Sequence, residues 1–385
     1  MPPVKILHVT STPEGIGGVE RLLLDMARHY DPSRVSVWHC NLFDRAQGSG
    51  RFPTALRETG LPYVESDGSR WRHLPKIVWK LLRAIRKEGF DIVHLHMVHA
   101  TIIGGFILPF ARPARVIVSK HYTYGVLRKP VLKALDVRAT NRMDRVIGVS
   151  RYVEAEVRRH GAPPENTLVI HNGSDLVALD RRSAESPLTR AGGLLLGSVG
   201  NLHPRKGHEF AIRAMPEILQ NFPAARLVII GEGPERPRLE ALVRSLGVGD
   251  AVSLMGFQEN VPAVLKQLDV YVHPSVEEPF GIAILEAMAA RKAVVASQVE
   301  GIPEIVVDGV TGILVPPREH GAIANAVCRL IGDASARKQM GIAGRERVER
   351  EFNIRRTTRA HEALYLSLSR RCSDSAARPQ GGAER

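Results

Sequence analysis

Short runs that are apolar almost throughout recur along the chain. They are VKILHVTS, VSVWHCNL, DIVHLH, RVIVSKH, RVIGVS and TLVIHNG, then LLLGSVGNL, RLVIIGEG, AVSLMGF, DVYVHPS, KAVVASQ and GILVPP. A strand with one wet face alternates apolar and polar residues; these do not. They are therefore expected to be buried on both faces of parallel sheets. Between them lie segments of helical period, such as GVERLLLDMARHY and PKIVWKLLRAIRKEG. This alternation predicts an α/β architecture. It breaks once, in DLVALDRRSAESPLTRAGG, a stretch rich in charge, Ser and Gly that predicts a junction near residues 174–192. Two doubly wound, Rossmann-like domains are expected, spanning 1–178 and 190–351 and facing a cleft, with ligand loops at the carboxyl ends of their strands. Residues 372–385, RCSDSAARPQGGAER apart from its first Arg, are expected to be a disordered tail.

The densest candidate chemistry lies in VHPSVEEPFGIAILEAMAARKAVVAS. Glu278 precedes a Pro279-Phe280-Gly281 turn, and a strongly helical run starts at Ile282 with Glu286 inside it. A helix start exposes unpaired N–H groups and the positive end of its dipole, which suits phosphate. A carboxylate accepts paired hydrogen bonds from vicinal hydroxyls. The simplest ligand is a nucleotide sugar, with phosphates on the helix start, ribose on Glu286 and sugar hydroxyls near Glu278. Alternatively, the two acids are a solvated turn residue and an exposed helix residue.

Three further stretches carry polar groups at expected strand ends. GNLHPRKG offers Asn201, Arg205 and Lys206, either to a diphosphate or as a solvated basic turn. TPEGIGGVE opens a helix; its last position is Glu20, so it departs from the dinucleotide fingerprint G-x-G-x-x-G. Gly17 and Gly18 there either line a ligand or make a tight turn. SKHYTYG sets His121 just beyond a strand. HLHMVHA groups His94, His96 and His99, with His94 and His96 on one strand face. No carboxylate or Cys stands near them in sequence to complete a tetrahedral site, so zinc is not expected. His96 or His99 is expected to touch an acceptor instead.

Taken in order along the chain, these stretches resemble the retaining, nucleotide-sugar-dependent glycosyltransferases of family 4, which have the GT-B fold. The Glu278-x7-Glu286 spacing resembles that family's E-x7-E signature. GIGGVERLLLDMA, VIGVSRYVEAEV, VIHNGSD, SVGNLHPRKGHEFAIRAM and VEGIPEIVVDGVTGILVPP resemble further family segments. The resemblance implies a C-terminal helix, about 352–371, that joins an N-terminal acceptor-binding domain. It gives ribose to Glu286, the donor sugar to Glu278 and His121, and the leaving diphosphate to Lys206. Donor contacts also fall to Gly17, Gly18, Arg205, Phe280, Gly281 and Ile282. Asn201 stands where the family has an Arg, and Tyr122 follows His121 where an Asp is common. The implied reaction moves a sugar from a UDP- or GDP-sugar to an acceptor hydroxyl with retention. The alternatives are a catalytically silent glycan- or nucleotide-binding protein and an NAD-dependent dehydrogenase.

Composition narrows the partners. The chain has 385 residues, a net charge of +13 and a pI near 10.0. That balance favours anionic partners. Aromatics make up only 5%, and no nucleic-acid motif is present, so nucleic acid is not expected. No Asp-x-Asp element occurs, and Lys206 with a helix start can neutralise a leaving diphosphate, so no obligatory metal or cofactor is expected. Cys40, Cys328 and Cys372 form no disulfide framework, and MPPVKILHVTS has no signal-peptide pattern, which suits a cytoplasmic protein. SRWRHLPKIVWKLLRAIRKEG places Ile77, Val78, Leu81, Leu82 and Ile85 on one side and Lys76, Lys80, Arg83 and Lys87 on another, with Trp71 and Trp79 near the boundary. This helix either packs on the sheet with a solvated basic face or rests on anionic lipid at the inner face of the membrane. A lipid-linked or cell-envelope glycan acceptor, such as one for lipopolysaccharide, fits the charge.

Overall fold

The computed structural model describes residues 2–11, 17–43, 51–66, 73–127, 129–181 and 193–376. Trp71, most of the expected junction and the last nine residues lie outside that set. The polypeptide divides into two compact units, Met1–His171 with Arg355–Arg385, and Asn172–Ile354.

The first unit holds a seven-stranded sheet. Its strands are β1 (Val4–Thr10), β2 (Val35–Asn41), β3 (Tyr63–Glu65), β4 (Ile92–His96), β5 (Arg115–Lys120), β6 (Arg145–Gly148) and β7 (Thr167–Val169). All pairings are parallel, in the order β3-β2-β1-β4-β5-β6-β7. Successive side chains of a strand point to opposite faces. One face presents Leu7, Val9, Val93 and Leu95 to Ile77, Leu81 and Ile85 of the helix Leu74–Glu88. The other presents Val4, Ile6, Ile92, Ile117 and Ile147 to Tyr365 and Leu368 of the last helix, Ile354–Ala376. Each fully buried aliphatic side chain contributes about 1.5–3 kcal/mol. That helix runs past position 371, where a tail was expected to begin. Its polypeptide arrives after the whole second unit, yet it completes the first.

The second unit holds β8 (Leu195–Val199), β9 (Arg226–Ile230), β10 (Val252–Gly256), β11 (Val270–His273), β12 (Ala293–Ser297) and β13 (Gly312–Val315). They are parallel, in the order β10-β9-β8-β11-β12-β13. Leu196, Leu227, Ile229, Val270, Val272 and Val295 pack on Ile212, Met215 and Val327 from covering helices. All twelve apolar runs of the sequence are strands. The one strand they do not announce is β3, three residues long at a sheet edge and preceded by Pro62.

One departure from the all-apolar pattern matters for chemistry. His8 follows the parity of Ile6, and His94 and His96 follow that of Ile92. The sheet face under the last helix therefore carries imidazoles among its aliphatic residues, and all three are buried.

Candidate functional site

In the second unit, Glu278 lies on the loop leaving β11 and is buried at 7% exposure. Its Oε2 accepts three contacts. Lys206 Nζ donates at 2.5 Å, His273 Nε2 at 2.8 Å and Ser275 Oγ at 3.3 Å. None of these falls on Oε1, which has no partner among the described residues. Burial pushes the carboxyl up. The Lys206 ammonium and the His273 N–H outweigh that and hold it well below the ordinary carboxylate range. The carboxylate can only accept, so His273 must carry its proton on Nε2. Burial keeps the His273 ring neutral, against the pull of Glu278. Its Nδ1 is then the acceptor for the Tyr271 hydroxyl at 3.1 Å. Donation thus runs from Tyr271 through His273 and meets that of Lys206 on the Glu278 carboxylate.

Lys206 reaches this carboxylate because two loops are locked together. It ends a single turn, Pro204–Lys206, followed by Gly207 at φ 61°. A Cβ at Gly207 would lie 2.0 Å from the Pro274 carbonyl oxygen, so only glycine lets the turn sit against the β11 exit loop. The Arg205 carbonyl accepts from Val276 N–H at 2.8 Å, which closes the seam. The Arg205 guanidinium itself has no partner among the described residues, and Asn201 is exposed. His208, behind Lys206, bonds Ser198 Oγ at 3.2 Å. Burial and the Lys206 charge lower its imidazole to about 4.

Four residues after Glu278 the helix Ile282–Ala289 begins, with Gly281 as its N-cap at φ 114°. The N–H groups of Gly281, Ile282 and Ala283 have no hydrogen-bond partner among the described residues, as a first turn leaves them. Phe280 is buried and meets Phe352 edge-on. Glu286 is half-buried, one turn in, and its charge raises the Tyr271 phenol together with burial. A carboxylate edge, with an ammonium bonded to it, thus stands four residues before a helix start. Such a set can hold hydroxyls and a polyanion side by side.

In the first unit, Gly17 and Gly18 are exposed at the start of the helix Gly18–Ala27; the loop at 12–16 lies outside the described residues. Glu20, which breaks the dinucleotide fingerprint, caps this helix by accepting from Gly17 N–H at 2.9 Å. His121 follows β5, and both its neighbours are anchored. Lys120, fully buried, donates to Asp136 Oδ2 at 2.5 Å, Tyr122 OH at 2.6 Å and Thr140 Oγ1 at 3.1 Å. Tyr122 OH donates to Asp136 Oδ1 at 2.5 Å. The tyrosine that departs from the family pattern is therefore half of a clamp on the His121 backbone.

His121 Nε2 lies 3.1 Å from His96 Nδ1, and His96 Nε2 lies 2.9 Å from His8 Nδ1. His96 was expected to touch an acceptor. It is buried instead, with both ring nitrogens engaged, and offers nothing to a ligand. His99 is half-buried in the first turn of the helix Val98–Ile107, edge-on to Phe43, and burial lowers its imidazole. The ring nitrogens of His8, His94 and His96 lie within 4.8 Å of one another, a grouping sequence proximity alone did not reveal. Their nitrogens are already committed: His94 to Tyr365 OH and Ser119 Oγ, both at 2.8 Å, His96 as above, and His8 to His96 and, at 3.5 Å, Tyr30 OH. The groups missed at the sequence level share one signal. Tyr271 and His273 alternate at period two on a strand read as merely apolar, and Ser275 continues that spacing into the loop beyond it.

Residues 181–347 match the family model described as glycosyl transferases group 1, and residues 16–177 match glycosyltransferase family 4. An uncharacterized glycosyltransferase of Methanocaldococcus jannaschii is 35% identical over 66% of this chain and 69% of its own length. The alpha-D-kanosaminyltransferase of Streptomyces kanamyceticus is 32% identical over 55% of this chain, and the match spans only 57% of that enzyme. Among solved structures, Anabaena HepE in complex with UDP-glucose superposes with a TM-score of 0.79 at 23% identity, over 97% of this chain and 99% of that one.

Proposed function

The chain belongs to glycosyltransferase family 4, with the GT-B fold, and on that premise we propose that it transfers a sugar from a nucleoside-diphosphate sugar to an acceptor hydroxyl with retention of configuration. The observation that carries this is the Lys206–Glu278 pair, with Glu278 four residues before a helix start whose N–H groups have no partner among the described residues. Growing negative charge on a leaving diphosphate is met by Lys206 and by Gly281 and Ile282 N–H groups. Glu286 accepts from the ribose hydroxyls. Glu278 Oε1 accepts from a sugar hydroxyl while Oε2 stays on Lys206, so the acid supports the sugar and holds the lysine without forming a covalent bond. His121 supplies a hydrogen bond to the sugar, and Gly17, Gly18, Arg205 and Phe280 complete the donor contacts. The leaving phosphate oxygen accepts the acceptor's proton. A UDP-sugar is the first donor to try, because HepE is seen with UDP-glucose.

We place the acceptor on a lipid-linked or envelope glycan. The support is the helix Leu74–Glu88 of the first unit, which exposes Trp79 together with Lys76, Arg83, Arg86 and Lys87, with Arg83 over the Trp79 ring. Exposed aromatics among cations suit an anionic lipid interface. No helix among the described residues is long and apolar enough to cross a membrane.

Thermal shift with UDP, GDP, ADP and NAD, each with and without EDTA, is the first test, because a ligand of the folded state raises its Tm. A rise with one nucleoside diphosphate that EDTA leaves intact supports the transferase. A rise with NAD alone sinks it, and a Glu286→Ala variant that still responds to the nucleotide removes the ribose assignment. Cosedimentation with anionic against neutral vesicles tests the lipid surface; equal recovery on both refutes it.

A further inference from the structure

We propose that Tyr30, His8 and His96 act as one hydrogen-bonded relay that holds His121 in its Nδ1–H tautomer, so that His121 offers a proton donor, not a base, to an oxygen of the bound substrate. The last clause rests on the proposed role of His121 at the donor sugar; the relay itself does not.

A neutral imidazole has one N–H and one lone pair. Burial keeps these three rings neutral: His8 and His96 are held well below their ordinary value, and His121 is lowered to about 3. At each of the two ring–ring contacts, one nitrogen must donate and the other accept. Only two arrangements satisfy both contacts. In one, every Nδ1 carries the hydrogen, and His121 ends the relay with Nδ1–H. In the other, every Nε2 carries it, and His121 ends with a bare Nδ1. Any mixture sets N–H against N–H or lone pair against lone pair in a dry interior, which is costly. The three tautomers are therefore locked to one another, over 88 positions of sequence between His8 and His96.

The far end decides between the two. Tyr30 OH stands 3.5 Å from His8 Nε2. A phenol is a stronger acid than a neutral imidazole N–H, and an imidazole nitrogen is a stronger base than a phenol oxygen. Burial raises the Tyr30 phenol, so it keeps its proton to give. Tyr30 therefore donates, His8 accepts at Nε2, and both following Nδ1 atoms carry hydrogens. At the near end, His121 Nδ1 is buried and has no partner among the described residues, although every other ring nitrogen of the relay has one. Such an atom points to a group that arrives from outside the chain. The groups around the array favour the same neutral state. His39 stacks on His8 at 5.2 Å, His94 and His361 flank it, and the Lys120 ammonium opposes protonation of His121. Tyr30, His8 and His96 are thus positioning residues: they act through His121.

The test is nitrogen NMR on the full chain with 15N-labelled histidine, which reads the protonated ring nitrogen directly. The expected result is a protonated Nδ1 and a bare Nε2 for His8, His96 and His121 alike. A bare Nδ1 on His121, or unlike tautomers within the three, overturns the relay. Tyr30→Phe removes the deciding donor and should shift the His121 ring signals two imidazoles away; unchanged signals refute the coupling. Should that variant fail to fold, His8→Asn keeps an amide N–H close to the old Nδ1–H and should preserve the His121 tautomer, whereas His8→Leu should lose it. Zinc added at one equivalent should leave the three rings unshifted; displacement of His8 and His96 together would make the cluster a metal site and end the proposal. The catalytic clause is read apart from this. With the tautomer confirmed, Tyr30→Phe should lower kcat about tenfold, the equivalent of one hydrogen bond, with donor KM unchanged. A confirmed tautomer with unchanged kcat would remove His121 from catalysis while leaving the relay intact.

Discussion

The two units bury polar chemistry in opposite ways. In the first, histidines and tyrosines replace aliphatic residues on a sheet face, and burial keeps them uncharged. In the second, a carboxylate and an ammonium stay charged because they face each other at 2.5 Å, with the ammonium partly open to solvent. A ring that can lose its charge settles into a fixed hydrogen-bond pattern. A group that must keep its charge demands a counter-ion and a rigid seat. The neutral cluster is suited to setting directions, and the charged one to meeting charge.

Acid should separate the two most strongly. His8, His39, His94, His96, His121 and His361, all in the first unit, have folded pKa values below the ordinary imidazole value. The unfolded chain then binds more protons below pH 6.5, so stability falls as pH falls, by about 1.4 kcal/mol per pH unit for each ring fully protonated only when unfolded. The second unit has two such rings, His208 and His273. Glu278 acts with the same sign in a lower window: its lowered pKa adds stability above about 4.3, lost only as pH drops below that. Peptide-resolved hydrogen exchange at pH 7 and pH 5 should show β1, β4 and β5 losing protection before β8 and β11. Simultaneous loss breaks the comparison.

Next in size is the charged exception inside the neutral unit. Lys120→Met leaves Asp136 buried beside Tyr122 without its cation, and should cost about 3–5 kcal/mol in urea unfolding. A loss under 1 kcal/mol would mean the pair is replaceable. Glu278→Gln keeps shape but frees the lysine, and should lower kcat by about a hundredfold with a smaller change in stability. If donor KM rises and kcat holds, the acid only binds. The smallest effect is expected of Gly281→Ala, where φ 114° and Ile284 Cδ1 at 3.0 Å from a new Cβ should cost about 1–3 kcal/mol. An unchanged Tm would show that the helix start tolerates a side chain.

The same contrast explains what was legible in the sequence. Twelve strands were, because burial on both faces writes itself as a continuous apolar run, while β3 was too short to leave one. Glu278, Gly281 and Glu286 share one local stretch, and Lys206 sits in a compact basic turn, so they stood out as candidates. That Lys206 bonds Glu278, 72 positions away, was not. Tyr271 and His273 were hidden because a polar residue every second position still averages to an apolar strand. The histidine face was hidden further, since its members come from β1, β2, β4, the end of β5 and the last helix. Weighing His94, His96 and His99 together by nearness in sequence grouped the wrong third residue: the fold supplies His8.

The last helix has a consequence for the order in which the protein can be made. Asn172–Ile354 is one uninterrupted segment and can fold as soon as it leaves the ribosome. The first unit, although synthesised earlier, must wait for His361, Tyr365 and Leu368 before its histidine-bearing sheet face is covered. Its nascent form therefore carries an open polar-apolar face through the synthesis of nearly two hundred further residues. Imidazoles that stay hydrated in that interval make the exposed face less adhesive than an all-aliphatic one, and surrender their water only when the final helix arrives.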